Sequence, residues 1–169
     1  LILLDPREIE LANFATLHLR QRPGTDVAVL NAIAHVLIRD NLANLNFIEA
    51  RTEGFDAFAA AVADWTPERA EAVSGVPAQQ IVDAAYMYAH ARNAMIFWAM
   101  GITQHTTGTD NVKACSNLAL LTGHIGRPAT GLNPLRGQNN VQGACDMGGL
   151  PNVFPGYAPV ADEAVRRKF

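Results

Sequence analysis

Between Gly131 and Gly156 the chain reads GLNPLRGQNNVQGACDMGGLPNVFPG, which sets Arg136, Cys145, Asp146 and several amide side chains among glycines. The stretch has no helical period and no sustained strand alternation. Its peptide groups and amides therefore need partners other than a regular backbone ladder. A disordered linker is usually rich in Lys, Glu, Ser and Pro. This stretch is instead rich in Gly and Asn and carries Leu, Val, Met and Phe. That composition favours a loop wrapped around a polar ligand or an interface over a plain surface loop.

Two further polar segments follow apolar runs. Leu1–Leu4 reads as a short buried strand, ended by Asp5-Pro6-Arg7. Ligands of open α/β sheets sit at the carboxyl ends of strands. There Asp5 could accept from a sugar hydroxyl and Arg7 could meet a base or a phosphate. In the plainer alternative, Asp5 only caps a helical turn from about Glu8 to Ala12. The strongest strand signal, Ala94–Ala99, runs into Met100–Thr109, where Gly101 permits close backbone approach. A third feature lies after Thr16–Leu19, itself a strand candidate. Pro23-Gly24 makes a turn, and Thr25 or Asp26 starts a helix reaching about Arg39. A helix N-terminus in that place suits an anion or a polar base edge. Asp26, if not simply the cap, could accept two hydrogen bonds from a guanine edge.

The elements that position these residues alternate strand and helix. The helix after Asp26 is apolar on most faces and is expected to be deeply packed. Residues 43–75 read as short helices and turns, including one begun by Thr66-Pro67-Glu68. A longer helix is expected from Val76-Pro77 to about Ala91, and another from Thr109 or Asp110 to about Thr122. His35 and Cys115 read as packed helix residues. Strand–helix alternation predicts an α/β fold with a parallel sheet. The predicted organisation is an α/β domain over 1–130 and a long irregular loop over 131–169.

Composition narrows the function classes. Of 169 residues, 49% are hydrophobic and 17% charged, so a sizeable core is expected; a net charge of −3, with Asp and Glu spread out rather than in blocks, gives no nucleic-acid footprint. No apolar run reaches transmembrane length. Cys115 and Cys145 make neither a disulfide framework nor a cluster-binding spacing. GxGxxG and GxxxxGK[ST] are both absent, which disfavours NAD, FAD and ATP in their common folds.

The segment WAMGITQHTTGTDN, followed by LALLTGHIGRPATGLNPLRGQNNVQGACDMGGLPNVFPGY, resembles the catalytic subunit of molybdopterin-dependent formate dehydrogenases. DPR, RPGTDVAVLNAIAHVLI, RTEGFDAF and TPERAEAVSGVPAQQI match in the same order, so the resemblance covers essentially the whole chain. RGQNNVQGACDMG is the specific part; DPR and PGTD occur more widely among molybdopterin oxidoreductases.

The resemblance implies a Rossmann-like domain of that family, with 1–130 binding one guanine-nucleotide arm of the pterin cofactor and 131–169 forming an active-site loop that crosses into the neighbouring domain. It also implies molybdenum or tungsten held between two pterins, each carrying a guanine nucleotide. Arg136 matches the active-site arginine and Gln138 a residue beside the pterin. Met100 and Gln104 match the loop that approaches the cofactor, and Gly101 and Gly137 would let backbone come close to it. Asp5, Arg7, Thr25 and Asp26 match the part that holds a guanosine diphosphate arm, with Asp26 toward the guanine and Asp5 toward the ribose or base. His105 could line the site. Formate is the implied substrate, with Arg136 holding one carboxylate oxygen. Electrons would leave through an iron–sulfur cluster, and an electron-transfer iron–sulfur subunit is the implied partner.

The family's metal-ligating Cys or selenocysteine, followed directly by His, has no match. Cys115 precedes Ser116 and Cys145 precedes Asp146. No metal ligand is therefore assigned in this chain, and Cys145 is given a supporting role. The ligand and the cluster cysteines are expected upstream of Leu1, in a larger protein of which this chain is a fragment. The compartment stays open for the same reason. As a fragment it is expected to be poorly stable or oligomeric in isolation. The readings kept beside formate oxidation are another molybdopterin oxidoreductase, such as a nitrate reductase, and a non-catalytic subunit built on the same domain.

Overall fold

The computed structural model describes residues 1–169, which divide into two compact units, Leu1–Pro134 and Leu135–Phe169. The first unit opens with β1 (Ile2–Leu4), a short 3-10 turn over Glu10–Phe14, and β2 (Leu17–Leu19). The two strands pair in parallel with Ile2 opposite Leu17 and Leu4 opposite Leu19. Both therefore end at the same edge, and Asp5 N–H extends the ladder by donating to Leu19 O at 3.2 Å.

Helix α1 (Asp26–Arg39) is the axis of this unit. Val29, Ala32, Val36 and Leu37 are fully buried and Leu30, Ile33 and Ala34 nearly so. These positions cover more than one stripe because α1 is packed on several sides, by α3 (Phe55–Val62), α4 (Pro67–Ser74), α5 (Ala78–His90) and α7 (Gly108–Thr122). Burying one such aliphatic side chain contributes about 1.5–3 kcal/mol. Truncating Leu37 to Ala would cost about 2–5 kcal/mol, since a close-packed site collapses only partly.

Local chemistry explains the helix boundaries. Asn44 Oδ1 accepts from Phe47 N–H at 3.1 Å and so starts α2 (Leu45–Arg51). Thr66 caps α4 at Arg69 N–H, with Pro67 in the first turn and Gly75 ending the helix at φ 78°. Gly123 closes α7 at φ 69°.

The expected parallel pairing is present, but as separate two-stranded sheets. β3 (Met95–Trp98) pairs in parallel with β4 (Gly131–Pro134), with Met95 opposite Gly131 and Trp98 opposite Pro134. Sequence reading placed Gly131–Pro134 in an irregular stretch. It is a strand because a long-range partner supplies its ladder, and Gly131 enters it at φ 141°. Met100–Thr109 also differs from the loop expected there. Met100–Thr103 forms the short helix α6, and α7 begins at Gly108, before Thr109.

The second unit also holds regular structure where none was expected. It contains α8 (Val141–Asp146), a small antiparallel pair of β5 (Val153–Phe154) and β6 (Ala158–Pro159), and α9 (Glu163–Lys168). Asp162 caps α9 by accepting from Ala164 and Val165 N–H, and Arg166, Arg167 and Lys168 complement the dipole at its end. Phe169 stacks on Phe154 with ring centroids 5.0 Å apart. Several glycines of this unit answer to its own packing. A Cβ on Gly149 would lie 2.7 Å from Ala144 O, and one on Gly148 2.9 Å from Pro155 N.

Candidate active site

The carboxyl end of the β1–β2 pair gathers four of the residues singled out by sequence, Asp5, Arg7, Thr25 and Asp26. Asp5 follows β1 directly, and its Oδ1 accepts from Arg7 N–H at 2.8 Å. This bond turns the chain at Pro6. The 3-10 turn starts later, after Ile9, so Asp5 does not cap it. The Arg7 guanidinium lies 3.8 Å from the same carboxylate and is 81% exposed. An exposed pair of that kind contributes about 1 kcal/mol or less, so the guanidinium is available to a ligand. His18 Nε2 lies 2.9 Å from Asp5 O, and because a carbonyl only accepts, Nε2 carries the proton.

After β2 the chain places Gln21 and Asp26 inside the protein. Gln21 Nε2 donates to Asp26 Oδ1 at 3.0 Å. Gln21 Oε1 is buried without a donor. Asp26 is the first residue of α1, where the positive end of the helix dipole favours a carboxylate. Thr25 does not cap α1 through its side chain. Its hydroxyl donates to Arg22 O at 2.6 Å and closes the Pro23-Gly24 turn. Arg22 anchors that turn by donating from Nη1 to Ala72 O and Val73 O, each at 3.2 Å. Sequence reading missed Gln21. A lone amide between two arginines carries no local signal.

Met100, Gly101 and Gln104 lie at the carboxyl end of β3, on or next to α6. Met100 is 51% exposed, and a Cβ on Gly101 would have nothing within 4 Å. Gln104 is also exposed. Behind α6 lies Asn111, buried to 1% exposure. A sequence signal for Asn111 exists in retrospect: it falls at helical spacing with Ala114, Cys115, Leu118 and Leu121 on the buried face of α7. Cys115 is buried as expected. Burial first, and then the nearby Asp26 charge, push its thiol up to about 11.

In the second unit Arg136, Gly137 and Gln138 are exposed in the segment that leads into α8. Arg136 forms no ion pair with any carboxylate of the chain. Asn140 begins α8 in the left-handed region at φ 50°. Cys145 is half-buried in α8. No group of three or more His, Cys, Asp or Glu is placed to hold a metal ion.

A small parallel α/β unit with polar residues at its strand ends, Gly101 open to approach and a buried amide–carboxylate pair defines a domain of the α/β class, in which ligands sit at the carboxyl ends of the strands. The chain belongs to the molybdopterin oxidoreductase family, whose profile matches residues 1–167. It is 56% identical over 160 residues to F420-dependent formate dehydrogenase 1 subunit alpha of Methanococcus maripaludis, covering 95% of this chain and 24% of that one. It is 49% identical over 169 residues to formate dehydrogenase H of Escherichia coli, covering 100% of this chain and 24% of that one. Among solved structures, acetylene hydratase from Pelobacter acetylenicus superposes with a TM-score of 0.73 at 28% identity, over 76% of this chain and 18% of the other. The chain thus spans about a quarter of the length of the curated relatives named here.

Family membership supports a molybdopterin cofactor. The residues present fit one. Gln21 Oε1 is a buried acceptor that lacks a donor, beside a carboxylate at a helix N-terminus. Gly101 leaves backbone accessible, and Arg7 is an exposed cation.

Proposed function

We propose that this chain is part of the catalytic subunit of a formate dehydrogenase, which oxidises formate to carbon dioxide at a centre of molybdenum or tungsten held by two pterin guanine dinucleotides. The observation that carries this reading is 49–56% identity to formate dehydrogenase subunits across nearly the whole chain, with RGQNNVQGACDMG present. The reaction converts formate into carbon dioxide, one proton and two electrons. When bound, the metal–pterin group would supply a two-electron acceptor, and an iron–sulfur cluster in the remainder of the subunit and an iron–sulfur partner subunit would receive the electrons.

The chain's own residues bind and orient. Arg136 holds one carboxylate oxygen of formate through a charge-assisted bond and keeps the C–H directed at the reacting centre. Its fixed charge also steadies the carboxylate as charge redistributes. Gly137 and Gln138 would lie against a pterin. Met100, Gly101 and Gln104, on and next to α6, would also approach a pterin. Asp5, Arg7, Thr25 and Asp26 hold one guanosine diphosphate arm. In that role the Asp26 carboxylate accepts from the guanine N–H groups, Asp5 takes ribose or base and Arg7 takes phosphate. The buried position of Asp26 suits this use, since a carboxylate shielded from water discriminates more strongly among ligand donors.

The test is Arg136→Ala in the complete enzyme. Formate turnover is expected to fall to near zero while bound metal and pterin stay close to the wild-type amount. Unchanged turnover would remove Arg136 from the mechanism.

A further inference from the structure

Every carbonyl of α6 has its place set by the chain around it. Met100 O accepts from Gln104 N–H at 2.8 Å. Gly101 O lies 2.7 Å from His105 Nε2, and Ile102 O accepts from Asn111 Nδ2 at 2.9 Å. Thr103 O is approached so closely by α7 that a Cβ on Gly108 would sit 2.1 Å away. A four-residue helix cannot satisfy its last carbonyls internally. Here two side chains from the following segment satisfy two consecutive ones. Both donor atoms are set by the acceptor: a carbonyl offers no proton, so His105 must carry its hydrogen on Nε2 and Asn111 must present its amide nitrogen.

Around these held carbonyls, Met100 and Gln104 are exposed and Gly101 has free space at its Cβ position. The backbone of the element is therefore clamped while the three cofactor candidates on and next to it stay open. A helix this short has no stability of its own, so the clamp determines where those open groups stand.

From this geometry we propose that His105 and Asn111 are positioning residues for the cofactor. They hold the Gly101 and Ile102 carbonyls and thereby fix the height and tilt of Met100, Gly101 and Gln104 against the pterin. Neither residue touches the substrate. The inference rests on the reading that α6 faces the pterin.

The experiment compares His105→Phe, His105→Gln and Asn111→Ala in the complete enzyme, with Arg136→Ala alongside. Hydrogen–deuterium exchange of the peptide containing 100–106 is the first readout. Loss of either donor is expected to speed its exchange about tenfold, in line with the net contribution of one hydrogen bond. The molybdenum or tungsten paramagnetic resonance spectrum is the second, and its g-values are expected to shift. For formate, kcat is expected to fall about tenfold with KM little changed and pterin content retained, as misplacement near reacting atoms produces. His105→Gln, which keeps an N–H donor, should recover most of kcat and the slow exchange. Unchanged exchange in both His105→Phe and Asn111→Ala overturns the proposal. So does a loss of activity that only follows a loss of pterin. If Asn111→Ala fails to accumulate, the His105 pair decides alone. Wild-type formate turnover in Arg136→Ala would remove Arg136 from the mechanism, absence of formate turnover in the parent enzyme would count against the formate reading, and in either case the exchange result would still judge the clamp.

Discussion

Gln21 Nε2 lies 3.0 Å from Asp26 Oδ1, and the two residues are 4% and 5% exposed. The contact joins the end of β2 to the start of α1 across the Pro23-Gly24 turn. It keeps a carboxylate inside the protein with one donor from the chain.

That contact makes a prediction about coupling. Gln21→Leu removes the donor and leaves Asp26 buried without it, which should cost about 1–3 kcal/mol. Asp26→Ala leaves the Gln21 amide unsatisfied in turn. The double variant should be less destabilised than the sum of the two, because removing both partners avoids an orphaned polar group. Thermal midpoints of the four proteins measure this. Strictly additive losses would show that the pair is not coupled.

Gly101 and Gly108 should respond oppositely to alanine. At Gly108 the added Cβ would meet Thr103 O at 2.1 Å, and both groups are backbone, so neither can rotate away. Gly108→Ala is expected to cost about 3 kcal/mol or to prevent folding. Gly101→Ala meets open space and removes unfolded-state entropy, so the fold should be stabilised by up to about 1 kcal/mol. If Gly101 approaches the pterin, the same variant loses bound pterin. Measuring melting temperature and pterin content together separates the two effects.

His124 ties stability to pH. It is 3% exposed, its Nε2 lies 3.1 Å from Tyr88 O, and its Nδ1 lies 3.2 Å from Arg127 Nη2. Arg127 only donates, so Nδ1 is the acceptor and Nε2–H donates to Tyr88 O. Burial, chiefly, and the Arg127 charge lower its pKa, against the Tyr88 carbonyl, which raises it. The unfolded chain therefore takes up a proton at this residue before the folded one does. Its contribution to stability is intact above the ordinary His value of about 6.5 and declines as pH falls from there toward the lowered folded value. His124→Asn should flatten that decline in melting temperature between neutral and acid pH. A slope equal to that of the parent would exclude His124 as its source.

Cys115 should resist alkylation. With its thiol at about 11, the thiolate fraction at pH 8 is about one in a thousand, and the side chain is 2% exposed. Mass spectrometry after iodoacetamide at pH 8 should find Cys115 unmodified in the folded protein and modified after denaturation. Modification without denaturant would mean that α7 opens readily.

Much of the fold was legible along the chain. The continuous apolar run of β1, the near all-round apolar surface of α1, the Thr66-Pro67 helix start and the Gly75 and Gly123 helix ends are written in neighbouring residues. Their physics is local: backbone torsion, capping and side-chain periodicity. The family was also legible, because RGQNNVQGACDMG combines residue types that folding alone does not require. What could not be read locally was decided between distant segments. Gly131–Pro134 became a strand because Met95–Trp98 supplied its ladder, and the clamp on α6 needed His105 and Asn111 brought back onto carbonyls that precede them. The need for glycine at 148 and 149 also comes from packing, against Pro155 and Ala144. The sequence by itself determined which chemical groups the chain carries and which family it resembles. Tertiary structure decided which of them are buried, paired or open, because burial and hydrogen-bond satisfaction depend on partners the local sequence does not contain.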